Sequence, residues 1–417
     1  MRLRGTGVHA RRGRAAPWIV LAVVWLTQAV AYGLFFSFTI FFLPLIEEFR
    51  WPRGLTAGAF SLSTVIQGVL SPVIGMLVDR IGPRRVILTG ALLLSGASIL
   101  ASQIHALWHL YLITGVLAAT GVAAVGWVPS GALLARWFSR RRGGVMGLAF
   151  SGMGVGVLVV GPLAQWLIAQ AGWRQAYVIL GSGALLGLGP LLWFGVAEAA
   201  PPERSGRPEV PAAPPAGGVG IRAALSTRAF WGLFFAYFFT PLAVFPVFTH
   251  QVAFAVDEGF PPMFVAGIFG LMGFISVVGR IVFGAVSDRK GRELAATLSF
   301  GCTATGTGAL LALEVWPHAA WLYAYALFFG LGFGARGPII TAMAAELFAG
   351  RRFGAIYGIM NLANGLGAAI GPWFGGVVHD LTGSYRLAFL TAMGFCAVAA
   401  AFFWIARAGR HGREGRV

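Results

Sequence analysis

Long apolar runs separated by short polar segments dominate this chain of 417 residues. A helix that crosses the hydrocarbon core of a bilayer needs about 20 mostly apolar residues, and the sequence contains twelve such runs. The pattern predicts an all-α membrane protein with twelve transmembrane helices. The predicted spans, numbered 1 to 12 in chain order, are residues 18–42, 56–78, 86–104, 107–134, 143–169, 174–196, 228–251, 264–286, 294–314, 319–343, 354–378 and 385–406.

One long polar segment separates the first six spans from the last six. It contains APPERSGRPEVPAAPPAGG, and its Pro, Ala and Gly content is typical of a flexible tether. The predicted organisation is a tail at 1–17, a six-helix bundle at 18–196, a linker at 197–227, a second six-helix bundle at 228–406 and a tail at 407–417.

Positive charges indicate which ends of the spans face the cytoplasm, because Arg and Lys concentrate in cytoplasmic segments. An N-terminus inside the cell places 25 of the 31 Arg and Lys residues on the cytoplasmic side, and both tails and the linker with them. The basic start MRLRGTGVHARRGRAAP lacks a small-residue cleavage site, which favours a retained first span over a signal peptide. The exceptions are Arg50, Arg53, Arg174 and Arg386 at outer ends, and Arg280 and Arg336 within spans.

Composition excludes several classes of function. With 58% hydrophobic and 11% charged residues, the chain is too apolar for a soluble domain, and topology rather than nucleic-acid binding explains its net charge of +17. Cys302 and Cys396 fall in separate apolar runs and are expected to pack, without a disulfide or a metal site. The sequence has no HExxH, nucleophile elbow or nucleotide-binding loop, so neither catalytic residues nor a cofactor are expected.

The two halves carry the same landmarks at a nearly constant offset. GMLVDRIGPRR after span 2 recurs as GAVSDRKGR after span 8, and Gly161-Pro162 recurs as Gly371-Pro372. WFSRRRGG likewise has the counterpart LFAGRRFG. Duplication of a six-helix unit leaves such a pattern.

The loop after span 2 resembles the signature of the major facilitator superfamily, Gly-x-x-x-Asp-Arg-x-Gly-x-Arg, which begins here at Gly75. The resemblance implies two pseudo-symmetric six-helix bundles. An Asp at the cytoplasmic end of a helix can accept hydrogen bonds from Arg and from a neighbouring helix N-terminus, which would latch the halves together; alternatively, the basic residues only fix topology. The candidate latch residues are Asp79, Arg80, Arg84, Asp288, Arg289 and Arg292.

Within that superfamily, YGLFFSFTIFFLPLIEEF, ARWFSRRRGGVMGLAFSGMGVG and AELFAGRRFGAIYGIMN resemble the monocarboxylate transporter and oxalate:formate exchanger branch. The resemblance implies transport of small organic anions, with an arginine of span 8 holding the carboxylate, and Arg280 matches that position. Animal carriers of this branch typically have an Asp four residues earlier, where this chain has Ser276. Lysines of the branch in spans 1 and 11 also have no counterpart, so proton coupling would have to use other groups.

Arg280 lies within the apolar stretch GFISVVGRIVFGAVSDRKGR. A charge in the membrane interior costs about 2.5–3.5 kcal/mol on insertion scales, so it usually faces a cavity and has a role. Gly273, Ser276 and Gly284 share its helical face and leave space for a ligand or for a close helix. Two interpretations remain, namely carboxylate binding and snorkelling of the side chain to the inner boundary.

Other polar residues are expected at the depth of Arg280, because substrate sites in such carriers lie near the midplane. A guanidinium fits the two oxygens of a carboxylate, while amides and hydroxyls can bind a neighbouring hydroxyl or keto group. Each of these residues could instead serve helix contacts. The candidate layer comprises Gln28, Gln67, Tyr237, Thr240, Arg336, Asn361 and Asn364, with Ser276 beside Arg280.

Two of the candidates have open roles. Arg336 could be a second anion anchor, favouring dicarboxylates or exchange, or it could bond freed carbonyls in its Gly- and Pro-rich helix. His250 is the deepest histidine and the candidate proton carrier, although histidines near helix ends often only form interfacial hydrogen bonds. No Asp or Glu lies in the middle of a span, which disfavours a cationic drug pump.

We therefore expect a secondary active transporter of small organic anions, foremost monocarboxylates such as lactate or pyruvate, that works by alternating access with proton symport. The alternatives are an anion exchanger of the oxalate:formate type, a dicarboxylate carrier and, more remotely, a non-transporting membrane sensor. Expected partners are the carboxylate, a co-transported proton or counter-anion and the lipid bilayer, without nucleic acid. Compact loops and a single lysine, Lys290, indicate a bacterial cytoplasmic membrane.

Overall fold

The computed structural model describes residues 7–138, 142–195, 220–348 and 353–414. Within these ranges every regular element is a helix. The apolar runs have therefore folded as expected for a chain in lipid, where a helix satisfies its backbone hydrogen bonds internally. The predicted all-α class is confirmed.

Eleven helical stretches in the described ranges are long and apolar enough to cross a bilayer. The stretch Gly144–Trp193 contains two spans, because Gly172 adopts φ 80° and ψ 161° and changes the direction of the chain. The twelve predicted spans are therefore present. Spans 1 to 4 are Pro17–Phe49, Arg53–Ile81, Pro83–Ala101 and Leu107–Trp137, spans 5 and 6 share Gly144–Trp193, and spans 7 to 12 are Arg228–Asp257, Pro262–Lys290, Arg292–Glu314, Ala319–Phe348, Phe353–Thr382 and Arg386–Arg407.

The helices extend beyond most of the predicted edges, because backbone hydrogen bonding continues past the apolar core. The first helix begins at Gly7 within the predicted tail, and the last one ends at Glu414. A short helix, Ile221–Leu225, precedes span 7. The remainder of the predicted linker, up to residue 219, lies outside the described residues.

Glycines allow the spans of each half to pack backbone against backbone. A Cβ atom on Gly156 of span 5 would lie 1.9 Å from the carbonyl oxygen of Ala29 on span 1. In the second half, a Cβ atom on Gly367 of span 11 would lie 2.2 Å from the carbonyl oxygen of Phe238 on span 7. Small residues permit this approach, which gives helices in lipid their dispersion contacts.

Spans 4 and 10 are each interrupted at matching positions of the sequence repeat. Span 4 breaks at Gly126, where ψ is −151°, and span 10 breaks between Phe333 and Arg336. A break inside the membrane frees carbonyl groups that must find donors. At the break in span 4, the side chains of Gln28 and Ser130 donate to the Val125 carbonyl over 3.1 and 2.7 Å.

The two halves touch on the outer side and separate toward the cytoplasmic side. At the outer ends of spans 2 and 11, a Cβ atom on Gly376 would lie 2.5 Å from the Cα atom of Gly54. Further along the same helices, no atom of another described element lies within 4 Å of a Cβ position on Gly68 or Gly365. The helices have therefore diverged by the middle of the membrane.

Spans 5 and 8 also touch toward the outer side and diverge toward the cytoplasmic side. A Cβ atom on Gly154 would lie 2.4 Å from the Gly273 carbonyl oxygen, whereas no neighbouring atom of the described chain approaches Gly147 or Gly284. Both helix pairs between the halves thus close outside and open inside. The structure is an inward-open state.

We expect Gly156→Ala to destabilise the protein by about 2 kcal/mol, because the added methyl meets the rigid backbone of span 1. Thermal unfolding of purified protein in detergent measures the loss. Gly183→Ala is the matched control, since Gly183 lies in a helix with open space around it. Equal melting temperatures for the two variants would contradict the packing argument.

Candidate functional site: a central cavity below an outer closure

A cavity of about 340 Å³ lies between the halves where spans 2 and 11 separate. Its size is at the lower end of the range for small-molecule sites. Aromatic rings from both halves form most of its apolar wall. The polar lining residues are Tyr32 from span 1, Thr64, Gln67 and Ser71 from span 2, and Asn361 and Asn364 from span 11.

Arg280 lies directly beside this cavity. Its guanidinium carbon is 5.9 Å from the ring centroid of Trp127, a lining residue, and it interacts electrostatically with Tyr32, another lining residue. The side chain is half-buried. It therefore points along the inter-half cavity and does not reach out to the inner membrane boundary.

The guanidinium of Arg280 bonds two main-chain carbonyls, one from each half. Nε donates to the carbonyl oxygen of Gly334 over 3.4 Å, and Nη1 donates to that of Phe150 over 3.2 Å. Gly334 lies at the break in span 10, so Arg280 occupies a carbonyl that the break frees. Both bonds are long compared with 2.7–2.9 Å for a guanidinium and a carboxylate.

No carboxylate among the described residues pairs with Arg280. Ser276, where the animal carriers have an Asp, donates its hydroxyl to the Gly273 carbonyl over 2.6 Å. Nη2 of Arg280 has no hydrogen-bond acceptor in the described chain. The cation therefore keeps donors available for a ligand.

The structure brings some of the predicted polar layer together and separates the rest. Gln67, Asn361 and Asn364 line the cavity, and the two asparagine side chains make no hydrogen bond with another described residue. Gln28 is fully buried inside the first bundle, and Tyr237 pairs with Tyr357 across 3.3 Å. Thr240 donates to the Ala236 carbonyl of its own helix, and Ser276 bonds its own helix in the same way.

Among the cavity residues whose side chains carry oxygen or nitrogen, sequence reasoning missed four, namely Tyr32, Thr64, Ser71 and Trp127. Thr64 lies three residues before Gln67, and Ser71 lies four residues after it. All three therefore share one face of span 2, and helical periodicity around Gln67 could have found them. Tyr32 and Trp127 carried no such signal, because aromatic residues are frequent in every span. The position of Trp127 depends on the break at Gly126, which it follows directly.

Arg336 does not line the cavity. It lies within the second bundle with 1% of its surface exposed, and its Nη2 donates to Thr303 Oγ1 over 2.9 Å. The break in span 10 frees the Gly334 carbonyl, which Arg336 could have bonded. Arg280 bonds this carbonyl instead. The two intramembrane arginines thus lie on opposite sides of the same helix break.

His250 is fully buried and does not line the cavity. Its Nε2 is 2.9 Å from the Pro372 carbonyl oxygen, and its Nδ1 has no partner in the described chain. Its ring packs against Phe42 of the first half and Tyr385 of the second, with centroid distances of 5.2 and 4.8 Å. The histidine therefore lies at the contact between the halves.

An ion pair closes the outer side above His250. Arg53, at the outer start of span 2, bonds Asp257 at the end of span 7 over 2.5 Å and donates to the Tyr385 hydroxyl over 2.8 Å. The Arg53 side chain is 15% exposed. We call Arg53, Asp257, Asp380 and Tyr385 the outer closure.

Asp380 completes the outer closure by capping a helix of the other half. Its two carboxylate oxygens accept from the backbone N–H groups of Arg53 and Gly54 over 2.8 and 2.7 Å. These groups begin span 2, where the helix dipole favours a negative charge. The bonding expected of the cytoplasmic latch is therefore present on the opposite side of the membrane.

The surroundings of the outer closure shift the pKa values of two groups that lie just beyond the ends of the spans. Burial raises the pKa of Tyr385 well above its ordinary value, although Arg53 opposes the shift. Burial and the neighbouring carboxylates of Glu314 and Asp257 raise the pKa of Glu258. The outer closure therefore adjoins a group that binds a proton more readily than an ordinary glutamate.

The predicted cytoplasmic latch residues make contacts within their own halves. Arg84 donates to the carbonyls of Leu192 and Trp193 at the end of span 6. Arg292 pairs with Asp288 and with Glu346 at 2.7 and 3.0 Å. Between residues 7 and 414, leaving out the undescribed segments, no ion pair joins the halves at this end. Asp79, Arg80 and Arg289 likewise have none.

Comparison with known proteins agrees with this architecture. The sequence matches the Major Facilitator Superfamily over residues 24–338 and 297–416. The chain therefore belongs to the major facilitator superfamily, as its loop motif predicts, and is a multi-pass integral membrane transporter, not an enzyme.

Sequence relatives agree with the predicted branch of that superfamily. Monocarboxylate transporter 3 of Rattus norvegicus is 30% identical over 404 residues, which cover 94% of this chain and 81% of the relative. Monocarboxylate transporter 13 of Bos taurus is 29% identical over 384 residues, covering 91% and 86%. The relatives' names describe their own activity.

Solved structures share the fold at low sequence identity. A bacterial homolog of the human lysosomal transporter Spinster, in an inward-facing and occupied conformation, superposes with a TM-score of 0.73 at 15% identity and covers 95% of this chain and 97% of its own. The nucleoside transporter NupG superposes with a TM-score of 0.75 at 12% identity, with coverage of 93% and 99%. The predicted twelve-helix fold in two bundles is confirmed.

We expect Asp257→Asn to shift the protein toward an outward-open state by about 1 kcal/mol, roughly fivefold, because the ion pair that joins the halves is lost. Spin labels at positions 103 and 315, at exposed outer ends of the two halves, would then report a longer distance. Arg174→Gln is the control, because the Arg174–Glu48 pair lies on the same side within one half. An identical distance distribution in Asp257→Asn and the parent would contradict this role.

Proposed function

We propose that this transporter carries small monocarboxylates, of the lactate and pyruvate type, in symport with a proton. The observation that carries the proposal is Arg280, a cation without a carboxylate partner among the described residues, beside a cavity between the two halves. A buried cation that lacks a protein counter-ion is favourably placed for an anionic substrate. The similarity to monocarboxylate transporters supports the same substrate class.

An exchange of hydrogen-bond acceptors at Arg280 would couple substrate binding to the contact between the halves. A carboxylate in the cavity bonds the guanidinium through two parallel, charge-assisted hydrogen bonds, which are shorter and stronger than the present bonds to carbonyls. It replaces the Phe150 carbonyl of the first half. Binding therefore removes one tie between the halves and links them through the substrate instead.

The cavity favours one carboxylate over two. Arg280 is the only arginine of the described spans beside the cavity, because Arg336 lies inside the second bundle. Asn361, Asn364 and Gln67 offer neutral amides that suit a hydroxyl or keto group. This arrangement supports a monocarboxylate above the dicarboxylate alternative.

Alternating access follows from the positions of the two sets of contacts. The outer closure holds the halves together in the inward-open state, and the cytoplasmic residues Asp79, Arg80, Arg84, Asp288, Arg289 and Arg292 latch them when the inner side closes. Rocking of the halves about the cavity exchanges one set for the other. The strong preference for Arg over Lys supports a bacterial cytoplasmic membrane as the location.

His250 is the proposed proton carrier. It is buried between the halves, its Nδ1 has no partner in the described chain, and it adjoins the outer closure. A proton on this ring would add a charge at the contact between the halves. Protonation from the outside would therefore be linked to the movement of the halves.

We expect Arg280→Gln to reduce uptake of radiolabelled lactate or pyruvate into proteoliposomes by about 100-fold or more, because a charge-assisted bidentate contact is lost. Arg280→Lys should keep a fraction of the activity, since it preserves the charge but not the paired donors. Uptake of a panel of mono- and dicarboxylates by the parent protein gives the substrate class.

The control for Arg280 is Arg386→Gln, an exposed arginine on the outer side that pairs with Glu314 at 3.6 Å. Its uptake should equal that of the parent. Elution and melting temperature must match for all variants. Full uptake by Arg280→Gln, or a preference of the parent for dicarboxylates, would sink the assignment.

We expect His250→Gln to lose accumulation driven by an inward proton gradient while it retains counterflow, because counterflow needs only substrate movement. His318→Gln is the control, since His318 caps a helix at the outer surface. Gradient-driven accumulation at the parent rate in His250→Gln would exclude this residue as the carrier. A parent protein that shows only counterflow would be an anion exchanger.

A further inference from the structure

Arg336 presents a buried charge that the proposed transport mechanism does not use. Its guanidinium carbon lies 4.6 Å from the ring centroid of Phe300, and Nη2 donates to Thr303. Nε and Nη1 have no hydrogen-bond partner in the described chain. Two donor nitrogens of a permanent cation are therefore unsatisfied in the interior of the second bundle.

A third unsatisfied group belongs to the same place. The hydroxyl oxygen of Ser299 is buried without a partner, one helical turn from Thr303 on the same face of span 9. This face packs against span 10, because a Cβ atom on Gly332 would lie 2.2 Å from Thr303 Oγ1 and 2.5 Å from the Ser299 carbonyl oxygen. Of the seven buried side-chain atoms without a partner in the described residues, three belong to Arg336 and Ser299.

No acidic side chain in the described chain neutralises Arg336. The ionisable groups that interact with it electrostatically are the thiols of Cys302 and Cys396. Glu346 lies ten residues further along the same helix, about 15 Å away, and bonds Arg292. The face of Phe300 attracts a cation only weakly, and water would satisfy the N–H groups without cancelling the charge.

We propose that Arg336 and Ser299 hold one small inorganic anion of the chloride type inside the second bundle, with Thr303 positioning the guanidinium. The anion accepts from Nε or Nη1 of Arg336 and from the Ser299 hydroxyl, and it neutralises the guanidinium. The helix Arg336–Phe348 begins at this point, and its dipole favours the same sign of charge. The donors lie at the close contact of spans 9 and 10 at Gly332, which favours a monatomic anion over a larger carboxylate substrate.

The anion has a structural role that is separate from transport. It joins span 9 to the break in span 10, whose other side Arg280 bonds through Gly334. The charge of Arg336 and its ligand therefore stabilise the segment that carries one acceptor of Arg280. The proposed anion site does not depend on the identity of the transported substrate.

Thermal unfolding of the purified protein in chloride and in gluconate, at equal ionic strength, tests the site. The melting temperature should rise with chloride in a saturable manner, by roughly 5 °C at saturation. Arg336→Met should abolish the dependence on chloride, and Ser299→Ala should weaken it. Identical melting in the two salts, or an unchanged chloride effect in Arg336→Met, would overturn the proposal.

Thr307→Ala is the matched control. Thr307 is equally buried on span 9, one turn beyond Thr303, and donates to the Thr303 carbonyl over 2.9 Å. It should retain the full chloride effect. A direct measurement needs no variant: crystals of the parent protein grown in bromide should show an anomalous peak beside Arg336, and its absence there would also overturn the proposal.

Discussion

The bond between Arg280 and the Phe150 carbonyl is the interaction on which the arrangement of the cavity depends. A guanidinium among apolar helices must find hydrogen-bond acceptors, and Arg280 takes one from each half. It can do so only because span 10 breaks at Gly334 and exposes a carbonyl. The break, the cavity and the contact between the halves are therefore parts of one local solution for a buried charge.

The outer closure solves a different problem with the same chemistry. Arg53 and Asp257 are partly exposed to water, so their ion pair contributes only about 1 kcal/mol by itself. Asp380 also accepts hydrogen bonds from the first backbone N–H groups of span 2, which have no partner within their own helix. Glycine contacts between spans 2 and 11 supply the packing. The closed side is thus held by several modest contacts rather than by one strong contact.

Apolar run length predicted the twelve spans from the sequence, because lipid allows a chain few alternatives to helices. Depth counting placed Gln67, Asn361 and Asn364 at one level, and all three line the cavity from spans 2 and 11. It failed to separate Gln28, Tyr237 and Arg336, because depth along a helix does not say which way a side chain points. For Gln28 that direction depends on the break in span 4, which no residue pattern marked.

The outer closure escaped sequence reasoning for a related reason. Arg53 appeared only as an exception to the charge rule, and its acidic partners lie more than 200 positions away in the other half. The sequence repeat drew attention to the cytoplasmic loops, where the same residues recur. The outer contacts have no such repeat, because they join the two copies instead of belonging to either.

The acceptors of Arg280 have a consequence for how this site changes during evolution. Both are main-chain oxygens, which every amino acid carries, so no substitution at position 150 or 334 deletes them directly. The resting partner of the arginine is therefore inherited with the backbone path and leaves no trace in residue identity. Relatives could diverge in the amides and aromatic rings around the cavity, and thereby change substrate, while the empty carrier still keeps its cation satisfied.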